Sequence, residues 1–383
     1  SLGFGVYSDK KAEKALKKKK QKAFGSEFFN NLAGIFGDKV MKIGATLRGS
    51  DLKTRDAFSQ LDIAGYNYGI LRYKKDVKKY PDRVILGTET FCKDACRFYE
   101  IARKEPAVIG DFVWAGIDYL GEAGIGAWVY KDYAKDFNYG VGWLTAGSGR
   151  LDITCKPNAE AAYMRVAYDF DKIRMAVVPA DNYSKKHSPS SWKMSNALES
   201  WSFDNCEGKK TVVEIYSKAH KVALYINDKK IKEKKRKNKY NCIFYFHVKY
   251  TPGTLTAVAY DNSGNEIAKT SLMSAEKDIM LKVIPEEDSI SSNDLCYARV
   301  MFADKKGTVK PLINSEVTVS VKNGSLIAFG NSCPYNEDGY LNDTAMTYYG
   351  EALAIIKPDS SKNDIIIEAN SKFGNASATV RIV

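Results

Sequence analysis

Histidine is scarce in this chain, with three among 383 residues, each in a different setting. The seven cysteines are scattered and odd in number. Cys92 and Cys96 stand four apart on an expected helix, a spacing that suits neither a redox pair nor a zinc knuckle. No metal site is therefore expected, and unpaired cysteines point to a reducing compartment, the cytoplasm. No apolar run is long enough to cross a membrane. A charged n-region followed by an apolar core and a small-residue cleavage site is also lacking, so no signal peptide is visible. Basic residues with interleaved stacking aromatics, the mark of a nucleic-acid surface, are missing as well. The net charge of +12 comes largely from two lysine clusters. Lys10 to Lys22 reads as a helix with a solvated face, and Lys229 to Lys239 as a loop between two strands.

What the sequence does have is an ordinary soluble composition, 44% hydrophobic and 27% charged. The length allows two to four domains. Three short apolar runs organise its first half: Leu61 to Tyr68, Arg83 to Glu89 and Ala107 to Trp114. Each is continuous rather than alternating, the pattern of strands of a parallel sheet buried on both faces. Between the second and third, Cys92 to Lys104 carries Ala95, Phe98, Tyr99 and Ile101 near helical spacing, which completes a strand–helix–strand unit. Catalytic groups of such units gather at the carboxyl ends of strands, where Tyr68, Glu89 and Trp114 fall. Phe112 is expected in the core, and Asp111 as a structural hydrogen-bond acceptor.

Upstream, helices are expected over Ser8 to Lys22, Phe28 to Phe36, and from a cap at Ser50 or Asp51 to Gln60. Lys39 to Thr46 is open between strand and helix. Gly121 to Gly149, rich in glycine and aromatics, reads as a long rim loop, followed by a helix over Ala159 to Phe170. Val177 to Ser191, with prolines, serines and lysines, reads as a linker. From Trp201 onward, short alternating strands with turns at Asn227-Asp228, Pro252-Gly253 and Asn262-Ser263-Gly264 predict a β-sandwich, and a second set from Ile279 to the end predicts another. The expected organisation is an α/β part over 1–175, a linker over 176–200, and immunoglobulin-like sandwiches over 201–278 and 279–383.

The motifs are more specific than this pattern. Asp62-Ile63-Ala64-Gly65-Tyr66-Asn67-Tyr68, Tyr80-Pro81-Asp82-Arg83-Val84-Ile85-Leu86-Gly87-Thr88-Glu89 and Gly110-Asp111-Phe112-Val113-Trp114-Ala115-Gly116-Ile117-Asp118-Tyr119-Leu120-Gly121-Glu122 resemble, in order and spacing, glycoside hydrolase family 2, which includes β-galactosidases and β-glucuronidases. The resemblance implies the C-terminal part of a (β/α)8 TIM barrel followed by two immunoglobulin-like sandwiches. Glu89 would be the catalytic nucleophile at the end of strand seven, Asn67 and Tyr68 would end strand six, and Trp114 would end strand eight beside the sugar. Tyr68 would hold the nucleophile, while Asn67, Trp114, Asp118, Glu122 and Arg150 would contact substrate. For Asp118 and Glu122, helix capping or a salt bridge is an equal alternative.

Retention needs a second carboxyl group about 5 to 5.5 Å from the first. Gly264-Asn265-Glu266 and Asn336-Glu337 have the letters for it but follow the nucleophile, so the general acid/base is expected upstream of Ser1. The fragment alone is expected to be inactive. A barrel of eight strands takes about 250 residues, and only three parallel strands precede Asp152. The expected partners are thus a carbohydrate, the N-terminal part of the same bacterial enzyme, and further copies in a homo-oligomer, not nucleic acid or membrane. Leu47-Arg48-Gly49-Ser50-Asp51 and Thr54-Arg55-Asp56-Ala57-Phe58 look similar to a gut-bacterial glucuronidase branch. Some members of that branch bind flavin mononucleotide, although no phosphate-cradling glycine motif places it here and hydrolysis requires no cofactor. The other reading, for which the sandwiches alone would suffice, is a non-catalytic carbohydrate-binding or assembly module.

Overall fold

The computed structural model describes residues 37–130, 142–360 and 363–383. The expected helices over Ser8 to Lys22 and Phe28 to Phe36, and Tyr133 and Tyr139 of the rim loop, lie outside the described residues. Among those residues, no helix is long and apolar enough to cross a membrane.

The α/β part begins with helices α1 (Asp38–Ala45) and α2 (Arg48–Phe58). The segment left open between strand and helix is thus helical. Neither Ser50 nor Asp51 caps α2, which starts after Leu47. The Ser50 hydroxyl donates to the carbonyl of Gly44 instead, and Asp51 joins an ion network. Strands β1 (Ile63–Asn67), β2 (Val84–Thr90) and β3 (Val108–Val113) form a parallel sheet in the order β1-β2-β3, with α3 (Tyr73–Lys79) and α4 (Ala95–Ala102) in the crossovers. Ala95, Phe98 and Ile101 recur at three-residue steps, so one face of α4 is apolar and buried. Helix α5 (Ala159–Ala167) is capped by Asn158, whose side chain accepts from the backbone N–H of Glu160 and Ala161.

The expectation of strands covered on both faces is corrected at β3. Val108 is buried there, while Ile109 is 53% and Phe112 62% exposed. Phe112 is therefore not core in this chain, because nothing among the described residues packs over that side of the sheet. Asp111 does act as an acceptor, taking hydrogen bonds of 2.6 Å from both Thr90 and Tyr168.

Arg72, Lys79 and Tyr80 converge on Asp51 at 3.2, 2.5 and 2.9 Å, locking α2 to α3. Burial alone would raise the Asp51 pKa, but hydrogen bonds from Lys79 and Tyr80 and the charges of Lys79 and Arg72 outweigh it and hold it below 3.8. A carboxylate whose folded pKa is depressed contributes stability above its unfolded value that is lost as pH falls through the folded one. Denaturant titrations at pH 7 and pH 3 should therefore show a smaller difference in Asp51→Asn than in the parent; an equal difference would remove this network from the acid response.

The first sandwich starts earlier than the sequence suggests. Strand β4 (Ile173–Val177) pairs with β5 (Lys210–Ser217), which pairs with β8 (Ile243–Lys249). Against this sheet packs a second one, ordered β10 (Glu266–Met273), β9 (Thr254–Tyr260), β6 (Lys221–Ile226) and β7 (Lys229–Lys235). Trp201, Phe203, Ile215, Leu224, Phe246 and Leu255 fill the space between. The proposed linker over 176–200 is therefore a packed strap. Val177 and Leu198 exchange backbone hydrogen bonds of 2.8 and 2.9 Å at its base, and Ser188, Trp192, Ser195 and Ala197 are buried along it. The lysine cluster from Lys229 is likewise not a loop. Asn227 and Asp228, at φ 49° and 63°, make the two-residue turn whose twist suits a hairpin. The lysines then form the exposed outer strand β7, whose charge discourages edge-to-edge pairing.

The second sandwich pairs a sheet of β11 (Met280–Pro285), β13 (Cys296–Ala303), β17 (Glu351–Pro358) and β15 (Gly324–Gly330) with a sheet ordered β12 (Ser289–Ile290), β19 (Gly374–Ile382), β18 (Ile365–Ser371), β14 (Glu316–Lys322) and β16 (Thr344–Met346). The short β12 and β16 and the glycine-flanked β15 carry little periodicity and are not legible in the sequence. This sandwich is tied back to the α/β part. Arg299 donates to the Thr154 carbonyl at 2.9 Å, Lys156 pairs with Glu351, and the Leu144 N–H donates to the Pro334 carbonyl at 2.9 Å.

Candidate active site

The three carboxyl ends of the parallel sheet lie together. Asn67 is the register partner of Glu89, and Thr90 that of Val113. The Tyr68 N–H donates to the Glu89 carbonyl at 2.7 Å, and the Trp114 N–H to that of Thr90 at 3.0 Å. The register slips at the same place: Tyr66 pairs with Gly87 but Asn67 with Glu89, so Thr88 is an extra residue in β2. A bulge of this kind re-aims the side chain that follows it, here Glu89. Gly65 makes room for it, since a Cβ there would lie 2.8 Å from Thr88 Cγ2. The Thr88 hydroxyl donates to Asn67 Oδ1 at 2.7 Å, which fixes the amide beside the bulge.

Tyr68 sits in the left-handed region at φ 54° and is buried against Phe91, with ring centroids 4.3 Å apart. Its hydroxyl oxygen accepts a 2.9 Å hydrogen bond from Trp192 Nε1. Because the indole can only donate, the tyrosine's single proton is left free to turn toward its other neighbour, the Glu89 carboxylate, whose charge acts on it. Burial, and to a smaller degree the Glu89 charge, push the Tyr68 pKa up, so it acts here as a neutral donor.

A second chain of contacts holds Trp114. Its Nε1 donates to the Tyr119 hydroxyl at 3.1 Å, which donates to Glu122 at 2.5 Å. Glu122 is exposed and reaches the site through Tyr119.

Two of the expected substrate contacts are corrected. Arg150 is 4% exposed. It pairs with Glu160 at 2.7 Å and donates to the carbonyls of Ser148 and Trp192, so its charge is spent inside the protein. Asp118 is 5% exposed and accepts from the Ser148 N–H at 3.1 Å, pinning the rim rather than facing the strand ends. The Asn336-Glu337 pair lies against the rim loop, the Asn336 N–H donating to the Gly142 carbonyl at 2.6 Å. Gly264-Asn265-Glu266 runs from the turn into the first residue of β10, and Asp261 accepts from Asn265 there.

Trp192 is the site residue that sequence reasoning missed. Its signal was a lone tryptophan in a serine-rich stretch, where a true linker has no use for so large an apolar ring. The strap that carries it is held by Ser190 Oγ, which donates to the Ile125 carbonyl at 2.6 Å, and by the backbone N–H groups of Met194 and Ser195, which donate to Glu160.

A carboxylate thus stands at the ends of the parallel strands beside tyrosine and tryptophan, and two β-sandwiches follow. Residues 281–381 match the glycoside hydrolase family 2 C-terminal domain 5, and residues 208–268 match a domain of unknown function, DUF4982. What residues 281–381 resemble is thus the C-terminal part of family 2 glycoside hydrolases. It is similar to a family 2 glycosyl hydrolase from Bacteroides cellulosilyticus, at 28% identity and a TM-score of 0.76, over 88% of this chain and 44% of that one. A β-galactosidase of Bacteroides ovatus is 23% identical over 71% of this chain and 28% of its own length. A β-glycosidase from Bacteroides vulgatus shares the fold at 16% identity and a TM-score of 0.63, over 94% of this chain and 50% of that one. The chain thus spans half or less of the length of each of these relatives.

Proposed function

We propose that the chain supplies the nucleophile of a retaining exo-β-glycosidase that removes terminal β-galactosyl residues by double displacement. The placement of Glu89 carries this reading: it stands on a bulged strand end beside Asn67, with its backbone carbonyl bonded to the Tyr68 N–H. In the proposed reaction Glu89 attacks the anomeric carbon, and Tyr68, braced by Trp192, holds the carboxylate in line. Trp114 offers an aromatic face to the apolar side of the pyranose. The acid/base carboxylate comes from residues not in this chain, and β1 to β3 are the last three strands of a (β/α)8 barrel. The exposed apolar side of β3 supports this, since the rest of such a barrel would cover Ile109 and Phe112. On this reading the chain by itself is inactive. Both sandwiches are read as immunoglobulin-like accessory domains.

A β-galactoside is favoured over a β-glucuronide for two reasons. Arg150, the cation the rim offered for a uronate carboxylate, is buried on Glu160, and the curated relative is a β-galactosidase. Incubating the full-length enzyme with a 2-fluoro-β-galactoside and mapping the label by peptide mass spectrometry tests the proposal. The label is expected on Glu89; a labelled carboxylate elsewhere overturns the assignment.

A further inference from the structure

Where α3 and α4 meet the first sandwich, three cations gather round one side chain, Tyr240 of the β7–β8 loop. Lys74 Nζ of α3 donates to its hydroxyl at 3.2 Å. The Arg97 guanidinium of α4 lies 4.8 Å from the centre of its ring, and the Lys239 ammonium 5.1 Å. None of the three forms an ion pair with a carboxylate among the described residues. Like charges held this close repel one another, and an anion set between them relieves it. None of Asn67, Tyr68, Glu89 and Trp114 takes part.

The groove is held in shape. Arg236 donates to the carbonyls of Asn241, Lys218 and Lys239 at 2.8, 3.0 and 2.7 Å, which closes the loop round its guanidinium. Asn238 Oδ1 accepts from the Tyr240 N–H at 2.9 Å and fixes that residue in turn. Donors set in advance lose less freedom on binding than loose side chains do. Helices α3 and α4 stand in the crossovers on either side of the middle strand, β2. Segments that extend the sheet beyond β1 or β3 would add helices outside this pair, not between them.

The chemistry of the groove is one-sided. The Tyr240 oxygen accepts from Lys74, and the phenol's own proton has no acceptor among the described residues. The hydrogen bond from Lys74, with the charges of Lys239 and Lys74, holds the Tyr240 pKa below 10.0, so the spot favours negative charge. Two ammoniums, a guanidinium and a phenol proton are all donors. A neutral sugar would bring hydroxyl protons with nothing to receive them, whereas phosphate and sulfate groups bring several acceptor oxygens and the opposite charge.

We propose that this groove is an oxyanion site, taking a phosphate or sulfate group through Lys74, Arg97, Lys239 and the Tyr240 hydroxyl. The group is either the free ion or a substituent on a sugar, and the site does not depend on Glu89 being the nucleophile.

The test is calorimetric titration of the full-length protein at pH 7 and a fixed ionic strength of about 50 mM, with inorganic phosphate, inorganic sulfate and galactose 6-sulfate, and galactose as the neutral control. At least one of the anions should saturate, and galactose should not. Lys74→Gln and Arg97→Gln should each weaken that binding at least fivefold with unchanged thermal melting. Lys357→Gln, which removes an exposed lysine of the second sandwich, should bind as the parent does. Galactose 6-sulfate binding at least tenfold more tightly than sulfate assigns the site to a sugar-borne group; equal affinities assign it to the free ion. The proposal is overturned if no anion saturates, if both groove variants bind as the parent does, or if Lys357→Gln weakens binding as much as they do. Glu89→Gln should leave the titration unchanged, so a failure of the catalytic reading would show in hydrolysis alone.

Discussion

Glu89→Gln in the full-length enzyme is expected to lower kcat for nitrophenyl β-galactoside by about 10⁴-fold or more, with melting unchanged. The magnitude follows from the role: without the nucleophile no glycosyl-enzyme forms, and enzymes that lose a nucleophile commonly fall by several orders of magnitude. Stability should hold because Glu89 is only partly buried and glutamine keeps both its shape and an acceptor for the Tyr68 hydroxyl. A variant within tenfold of the parent would exclude Glu89 as the nucleophile, whatever its position on the sheet.

Arg150→Met is expected to cost roughly 3–5 kcal/mol of folding stability, the penalty of leaving one member of a buried ion pair without the other. Glu160 is 0% exposed and depends on this guanidinium and on the N–H groups of Met194 and Ser195. Domains of this size have about 5–15 kcal/mol in total, so the loss should appear as a clear drop in the first denaturant midpoint. The double variant Arg150→Met with Glu160→Gln should recover part of it, because no charge is then left buried. Equal midpoints for the single and double variants would mean that the guanidinium acts through its bonds to the Ser148 and Trp192 carbonyls alone.

The strand ends were readable in advance because two local rules agreed there. Continuous β-branched runs mark parallel strands, and Gly65, Gly87 and Glu89 follow one another at spacings that only a sheet's carboxyl edge makes sense of. Arg150 was misread for a physical reason. A basic residue after a glycine-rich loop looks solvent-facing until the tertiary fold brings Glu160 under it, and that pairing spans a turn that sequence periodicity does not describe. The strap was lost in the same way, since serine, proline and lysine are as common in packed irregular segments as in linkers. Its order comes from hydrogen bonds to the backbone of 125–129 rather than from any pattern of its own.

The strap leaves β4 at Val177, reaches Tyr68 with Trp192, and returns to the sandwich before β5. A gene cut after α5 to obtain a minimal hydrolase would delete the indole that steers the tyrosine's proton. In the proposed reaction, such a cut is a change to the chemistry as well as to the size of the protein. The strap between β4 and β5 takes part in that reaction through a single nitrogen, that of Trp192.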